Sequence, residues 1–240
     1  MASDNPIVTL TTDFGLADSY VAEMKAAILR HCRQAILVDV AHQVPRHDIL
    51  AGSIALERAV AAFDDAIHLA VVDPGVGTDR RMLLVRFDKQ IVLCPDNGLI
   101  TWAWHRRGPA TAYELTWQVV PISHTFHGRD WLGPVAGRLA AGESVMSMAR
   151  PAEAPVLLSV KPAATLAEAE IIHIDRFGNA TTNVPAELVE RYPLHRTYAQ
   201  VPIGESVRLI GSSGLLEIAV REGSAAQLLN LKVGDKVQLP

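Results

Sequence analysis

The stretch IHLAVVDPGVGTDRR, residues 67–81, decides how the first half of this chain folds. It opens with apolar residues at 67 and 69–72, a short run that is typical of a buried strand. The run stops at Asp73, and because Pro74 fixes φ and Gly75 permits positive φ, the chain must turn directly after the carboxylate. Asp73 is therefore expected at the carboxyl end of a strand, the edge where open α/β sheets bind ligands. Taken alone, the segment is more simply interpreted as a tight turn after a core strand, with solvated arginines.

The composition is that of a soluble globular protein of one or two domains. Hydrophobic residues make up 49% of the 240 residues, charged residues 20%, and the net charge of −4 gives no basis for a nucleic-acid or membrane partner. No apolar run reaches the ~18 residues of a membrane span, and the N-terminus lacks the regions of a signal peptide. Cys32 and Cys94 lie far apart, so we expect a reduced, cytoplasmic setting rather than a disulfide framework.

Alternating strand and helix patterns early in the chain predict a mixed α/β sheet with a hairpin at 82–94. Beyond residue 165 the pattern changes to short β-like runs, which is typical of a small barrel or sandwich. We predict an N-terminal α/β domain over 1–164, with a linker from about 151, and a smaller C-terminal all-β, barrel-like domain over 165–240. Extended segments are predicted at 7–10, 35–40, 67–72, 82–87, 90–94, 116–120, 170–175, 197–201, 205–210, 215–220 and 235–239; helices are predicted after Asp18 or Ser19, after Asp48, and at 99–105 and 131–141.

Ionisable side chains follow several of these strands. Asp13, Asp73 and Asp96 each occupy a turn at a strand end, and 127–130, His-Gly-Arg-Asp, forms a fourth polar cluster. Carboxylates at several strand ends of one sheet can converge on one crevice. The spacing alone does not separate a metal site from a metal-free one.

The second domain carries a different motif, Asp175 to Asn179. A strand end with an aromatic, a glycine and an amide suits a planar heterocycle, with stacking from Phe177 and edge hydrogen bonds from Asn179. A hairpin-like turn with a core phenylalanine fits the same residues about as well.

Six groups of residues follow one another in the order found in a known family. They are 12–15 with Asp18 and 20–21, 72–77 with Arg80, 95–99, 125–130, Asp175 with 177–179 and 182–183, and Ser212 with Gly214 and 216–220. Together they resemble the S-adenosyl-L-methionine (SAM) hydroxide adenosyltransferases, or SAM hydrolases, formerly a domain of unknown function. That family is related to the SAM-dependent fluorinase and chlorinase.

The resemblance implies an N-terminal α/β domain, a C-terminal β-barrel-like domain and a homotrimer that binds SAM between neighbouring subunits. It implies hydrolysis of SAM to adenosine and L-methionine, with no cofactor and no metal. It assigns Asp73, Arg80 and His127 to positioning and activating water. The remaining residues implied in substrate binding are Asp13 at the ribose hydroxyls, Gly128 in the same pocket, Asp18, Asp175 and Ser212 at the methionine end, and Phe177, Asn179, Tyr198, Glu217 and Val220 around the adenosine.

Two positions distinguish the branches of this family. The halogenating relatives carry Tyr where this chain has Asp73 and Ser where it has Gly128. A halide needs a dry cradle of neutral donors, whereas water needs a partner that accepts its proton, so Asp73 favours hydrolysis over halogenation. The chain departs from the family pattern at Ala26, where Gly is usual, and at Gly211, where Asn often precedes the serine.

In the implied reaction, water attacks the ribose C5′ and expels a neutral thioether, so no general acid is required. Asp73 either accepts the proton directly or holds His127 in the required tautomer. Two other classes stay open on the residues alone. One is a metal-dependent phosphohydrolase built on Asp13, Asp73, Asp96, His127 and Asp130; the other is a non-catalytic adenosine- or SAM-binding module.

Overall fold

A computed structural model describes residues 5–118, 120 and 122–238 of the chain. The chain divides between Leu158 and Ser159 into two compact units, which we call the N-terminal unit and the C-terminal unit. Each unit has its own sheet, seven-stranded in the first and four-stranded in the second.

The N-terminal unit contains the mixed α/β sheet that the sequence predicts. Its strands are β1 (Ile7–Thr12), β2 (Ile36–Ala41), β3 (Ile67–Val71), β4 (Met82–Phe87), β5 (Gln90–Pro95), β6 (Thr111–Leu115) and β7 (Ala149–Pro151), in the order β2-β1-β3-β5-β4-β6-β7. β1 pairs in parallel with β2 and β3, and β3 pairs in parallel with β5. The predicted hairpin of β4 and β5 is antiparallel. The carboxyl ends of β1, β2 and β3 therefore meet at one edge of the sheet.

Four helices cover this sheet: α1 (Tyr20–Leu29), α2 (Ile49–Ala62), α3 (Thr101–Arg106) and α4 (Gly133–Ala140). Asp48 caps α2 as predicted, since its Oδ1 accepts a hydrogen bond from the backbone N–H of Ala51 at 2.9 Å. A π-helical turn at Gly128–Leu132 leads into α4.

The continuous apolar run of β3 is explained by burial on both sides of the sheet. Leu69 and Val71 belong to one core cluster, whereas Ala70 and Val72 belong to a second. Successive side chains of a strand point to opposite faces, so a strand covered on both faces is apolar at nearly every position. The exception in β3 is His68, which is buried and hydrogen-bonded to Thr9 and Gln90. This is why the segment before Asp73 shows no polar alternation.

The C-terminal unit is an antiparallel sheet. Its strands are β8 (Ile171–Ile174), β9 (Ala180–Pro185), β10 (Ser206–Ile210) and β11 (Leu215–Val220), in the order β10-β11-β9-β8, followed by the short helix α5 (Ala225–Leu228). The all-β character predicted from the sequence is confirmed.

Three predicted strands are wrong. Residues 116–118 lie beyond β6, because Thr116 and Trp117 both donate to the carbonyl of Met148, and Val119 lies outside the described residues. The 197–201 segment is instead a 3₁₀ turn at Tyr198–Gln200. The 235–239 segment contributes only an isolated bridge from Lys236 to Glu170, and Leu239 lies outside the described residues.

β6 and β7 are absent from the sequence-based prediction, and so is a longer strand, β9. Its interior carries three polar residues, Thr181, Thr182 and Asn183, all of them buried. The Thr182 hydroxyl donates to the Leu216 carbonyl at 2.9 Å, and Asn183 Nδ2 donates to the carbonyls of Lys161 and Glu168. Polar residues can occupy a buried strand when each finds a partner, and those partners are not visible in the local pattern.

In the described part of the chain, no helix combines the length and the apolar character that crossing a membrane requires.

Candidate active site

A cavity of about 580 Å³ lies in the N-terminal unit, at the edge where β1 and β3 end. Five residues named from the sequence line it: Asp13, Asp18, Asp73, His127 and Gly128. Arg46 and His47, which follow β2, line it as well and were not predicted. The signal for them was available, because the carboxyl end of β2 lies at the same sheet edge as those of β1 and β3.

Asp73 and Arg80 form a two-pronged ion pair beside this cavity. Arg80 Nε donates to Asp73 Oδ1 at 2.7 Å, and Arg80 Nη2 donates to Asp73 Oδ2. Both side chains are nearly buried, with 9% of Arg80 and 5% of Asp73 exposed. The turn after β3 produces this arrangement, since the arginine follows the carboxylate closely enough to fold back onto it. Charge-assisted, bidentate pairing fixes the orientation of the carboxylate as well as its position.

His127 completes this group from a different part of the chain. Arg80 Nη2 also lies 3.0 Å from His127 Nδ1. A guanidinium has no acceptor, so Nδ1 must accept the hydrogen bond, and the single proton of the neutral ring is on Nε2. Burial lowers the pKa of His127, and the Arg80 charge lowers it further, against an opposing effect of Asp73. His127 is therefore neutral at neutral pH, with Nε2 as its donor.

Gly128 is closely surrounded by the wall of the cavity. A Cβ atom at this position would lie 3.3 Å from Phe14 Cζ and 3.5 Å from both Met24 Sδ and Val71 Cγ2. A serine there would require the Phe14 ring to shift by a few tenths of an ångström, whereas Met24 and Val71 would be in ordinary van der Waals contact. The close packing provides a reason for glycine at the residue next to His127.

Asp13 is held by the chain that follows β2. Its Oδ2 accepts a hydrogen bond from the backbone N–H of His47 at 2.9 Å. Asp18 lines the same cavity and is exposed. Part of the cavity wall is aromatic, formed by three rings in mutual contact at 5.2–6.0 Å between centroids: Phe14, Tyr20 and Phe126.

Asp96 does not join the other strand-end carboxylates, which corrects the expected convergence. Its Oδ2 accepts from Arg81 Nε at 2.8 Å and its Oδ1 accepts from the N–H of Val156 at 2.7 Å. Asp130 is likewise bound to Arg129, and this hydrogen bond lowers the pKa of Asp130. Within residues 5–118, 120 and 122–238, no group of three or more His, Cys, Asp or Glu is arranged to hold a metal ion.

The Asp175 motif of the C-terminal unit is an ordered turn. Asp175 Oδ1 accepts from the backbone N–H groups of Phe177 and Asn179, both at 2.9 Å, and Oδ2 accepts from Asn179 Nδ2 at 3.1 Å. The Phe177 side chain is 76% exposed. The alternative of a turn with a core phenylalanine is therefore wrong, and an ordered turn presents an aromatic ring to solvent.

The other predicted binding residues of this unit differ in accessibility. The Tyr198 hydroxyl donates to Glu217 Oε1 at 2.7 Å, and this hydrogen bond raises the pKa of Tyr198 to about 12. A Cβ at Gly211 would lie 2.8 Å from Glu217 Oε2, so the glycine leaves room for that carboxylate. Ser212 is exposed, whereas Val220 is buried in a core cluster and has only its backbone to offer a ligand.

Comparison with known proteins accounts for both units. Residues 8–149 match the model of the SAM hydroxide adenosyltransferase N-terminal domain, and residues 169–238 match that of the C-terminal domain. An (R)-S-adenosyl-L-methionine hydrolase of Salinispora tropica is 38% identical, over 98% of this chain and 97% of the relative. The corresponding hydrolase of Thermus thermophilus is 37% identical, over 97% and 98%.

More distant proteins align over the same length. A fluorinase of Nocardia brasiliensis is 25% identical, over 98% of this chain and 96% of the relative. A crystal structure of an uncharacterized conserved protein from Thermotoga maritima superposes with a TM-score of 0.88 at 30% identity, covering 95% of this chain and 97% of that one. The chain belongs to the SAM hydroxide adenosyltransferase family.

Proposed function

We propose that the protein hydrolyses SAM to adenosine and L-methionine, with the N-terminal cavity as the reaction site. The observation that carries the proposal is the hydrogen-bonded group of Asp73, Arg80 and His127 at that cavity. It combines a proton acceptor, a cation that fixes the acceptor, and a neutral imidazole. The hydrolases among the relatives, at 37–38% identity over nearly the whole chain, support the same reaction.

The reaction balances without a general acid. The oxygen of water forms a bond to the ribose C5′, and the C5′–S bond breaks with its electron pair going to sulfur. The sulfonium becomes the neutral thioether of methionine, which leaves without a proton. Because the attack of an oxygen anion on a sulfonium annihilates charge, a water-poor pocket lowers its barrier. The demand falls on the group that takes the proton from water.

That group is Asp73. A carboxylate offers about four acceptor positions, and Arg80 occupies two of them, so Asp73 keeps acceptor capacity for a water molecule. His127 accepts from Arg80 through Nδ1, so its other nitrogen carries the proton and donates. In the proposed arrangement His127 Nε2–H orients the oxygen of the water while Asp73 accepts its proton. Arg80 holds both partners in place.

Substrate binding follows the assignments implied by the family. Asp13 accepts hydrogen bonds from the ribose hydroxyls, and Gly128 leaves room beside them. The methionine end is held by Asp18, Asp175 and Ser212. Phe177, Asn179, Tyr198, Glu217 and the backbone of Val220 surround the adenosine. The exposed ring of Phe177 and the ordered Asp175 turn support this role for the C-terminal unit. We further propose a homotrimer with SAM bound at the subunit interface, no cofactor and no metal requirement.

The experiment is incubation of purified, EDTA-treated protein with SAM in the presence of chloride, followed by chromatography. Hydrolysis predicts adenosine and methionine in equal amounts. A 5′-chlorinated nucleoside would instead identify a halogenase, and activity restored only by a divalent cation would identify a metal-dependent enzyme. Bound adenosine without turnover would reduce the protein to a binding module.

A further inference from the structure

A second hydrogen-bonded group adjoins the turn that carries Asp13. It consists of Thr12 at the end of β1, Lys25 on α1, Asp39 on β2 and His42 just after β2, and we call it the His42 network. Thr12 Oγ1 lies 2.8 Å from His42 Nδ1, His42 Nε2 lies 2.9 Å from Asp39 Oδ1, and Lys25 Nζ lies 2.7 Å from Asp39 Oδ2. Thr12 and His42 are buried, and the network does not line the cavity.

The hydrogen bonds of this network meet at Asp39 and at Thr12. The Asp39 carboxylate only accepts, so both Lys25 Nζ and His42 Nε2 donate to it. Thr12 Oγ1 pairs with His42 Nδ1, and the same oxygen accepts from the backbone N–H of Phe14 at 3.3 Å. Although burial opposes it, hydrogen bonds from Lys25 and His42 keep the pKa of Asp39 below its usual range. Each buried polar group has a partner of the correct type.

The network holds the Asp13 turn from both sides. On one side, the Thr12 side chain fixes the N–H of Phe14. On the other side, the N–H of Gly15 donates to the backbone carbonyl of His42 at 2.7 Å. Asp13 and Phe14 thus lie between two residues that are both bound to His42. The chain after β2 supplies a third hold, the hydrogen bond from the His47 N–H to Asp13 itself.

We propose that His42, with Thr12 and Asp39, is a positioning residue that sets the Asp13 carboxylate for the two hydroxyls of the ribose. The inference rests on the proposed role of Asp13 in binding SAM and extends it to three residues that do not contact substrate. A carboxylate that receives two hydroxyls must be fixed in rotation as well as position, and that fixation comes from packing and hydrogen bonds behind it.

The same strand contains a matched control. Thr9 Oγ1 lies 2.7 Å from His68 Nδ1, and His68 Nε2 lies 2.7 Å from Gln90 Oε1, so a second buried threonine–histidine pair joins β1 to β3. Thr9 precedes Thr12 by three residues, ~10 Å along the strand and away from the Asp13 turn. Breaking either bond removes one buried hydrogen bond from β1, but only one of the two lies beside Asp13.

The test measures the dissociation constants of adenosine and of 2′,3′-dideoxyadenosine by calorimetry, alongside adenosine release from SAM. Thr12→Val is expected to raise the dissociation constant of adenosine about 10-fold and to change that of dideoxyadenosine less than twofold. The reason is that only adenosine has the ribose hydroxyls that Asp13 binds. Thr12→Ser, which keeps the hydroxyl, should restore adenosine binding. Thr9→Val should leave both constants within twofold of the wild type. His42→Gln, which removes the ring nitrogen that pairs with Thr12, should reproduce the selective loss if Thr12→Val does not fold.

Equal weakening of both nucleosides by Thr12→Val or His42→Gln would overturn the proposal, and so would no change in either. Wild-type protein that binds the two nucleosides equally would overturn it as well, since Asp13 would then not read the hydroxyls. The outcome for SAM hydrolysis is separate. Wild type that shows ribose selectivity but releases no adenosine from SAM would refute the hydrolysis and leave the positioning role standing.

Discussion

Arg80 Nη2 donates to His127 Nδ1 across 3.0 Å while the same guanidinium holds both oxygens of Asp73. These hydrogen bonds determine which residue can accept a proton in the proposed mechanism. Because the guanidinium cannot accept a hydrogen bond, His127 Nδ1 must accept from it, which places the proton of the neutral ring on Nε2 and leaves Nδ1 unavailable as a base. Asp73 is left as the member of the group with a free acceptor.

Replacing Asp73 with Asn tests the proton acceptor. The amide nearly preserves the shape of the carboxylate but is a far weaker base, so kcat should fall by about 10²–10⁴-fold. The dissociation constant of adenosine should change little, because Asp73 acts on water. Asp96→Asn is the matched control, since Asp96 is also paired with an arginine yet lies outside the cavity lining. Turnover of folded Asp96→Asn should stay within a few-fold of the wild type; unchanged turnover in Asp73→Asn would remove Asp73 from the mechanism.

His127→Asn separates orientation of water from proton abstraction. An asparagine can offer an amide oxygen to Arg80 in place of Nδ1 but is not a base at neutral pH. If Asp73 takes the proton, the kcat of His127→Asn should fall only about 10-fold, and the kcat of His127→Ala should fall further. A loss in His127→Asn as large as that in Asp73→Asn would instead identify the histidine as the base. Steady-state kinetics of the three variants side by side decides the matter.

The acid side of the pH–kcat profile should lie below the ordinary range of histidine. The pKa of His127 is lowered by burial and by Arg80, so the neutral ring persists as the pH falls through ~6.5, where an unperturbed histidine gains its proton. Protonation would put an N–H on Nδ1 against the guanidinium and break the group. We expect the half-maximal kcat on the acid side to lie below pH 6.5. A half-maximal kcat at or above pH 6.5 would contradict this.

Phe177→Ala tests the adenine site of the C-terminal unit. Base–aromatic stacking contributes ~1–3 kcal/mol, so the loss of the ring should weaken adenosine binding about 5- to 150-fold. The side chain is 76% exposed, so the melting temperature should hardly change. Ile203→Ala, at a residue 64% exposed in the same unit, is the control and should alter neither quantity. Equal adenosine affinity in Phe177→Ala and wild type would exclude the stacking role.

Much of the site was predictable because its positions follow from chain geometry. The apolar run before Asp73 predicted a strand end, and the family resemblance grouped Arg80 with Asp73. The segment alone favoured solvated arginines, which is wrong for Arg80, because its side chain is only 9% exposed. His127 was identified as a candidate because it lies in a segment dense with polar residues in the α/β domain. The distinction between hydrolase and halogenase rested on two residues, Asp73 instead of tyrosine and Gly128 instead of serine.

What the sequence did not reveal depends on partners distant along the chain. The polar strand β9 is buried because Asn183 binds carbonyls 15 and 22 residues away. The bond of Thr12 to His42 spans 30 residues, and neither residue forms a recognisable motif. The exposure of Phe177 could not be distinguished from burial, because a turn with an aromatic ring gives the same local pattern in both cases. Local periodicity reports which residues are buried, but not which buried polar atoms meet.

The most direct measurement of the central claim is hydrolysis of SAM in H₂¹⁸O, with EDTA-treated wild type and Asp73→Asn compared under the same conditions. Attack of water on C5′ predicts adenosine with one ¹⁸O in its 5′-hydroxyl, methionine without label, and a rate about 10²–10⁴-fold lower in the variant. Labelled adenosine formed at the same rate by both proteins would contradict the role of Asp73. Adenosine without ¹⁸O would contradict the attack of water itself.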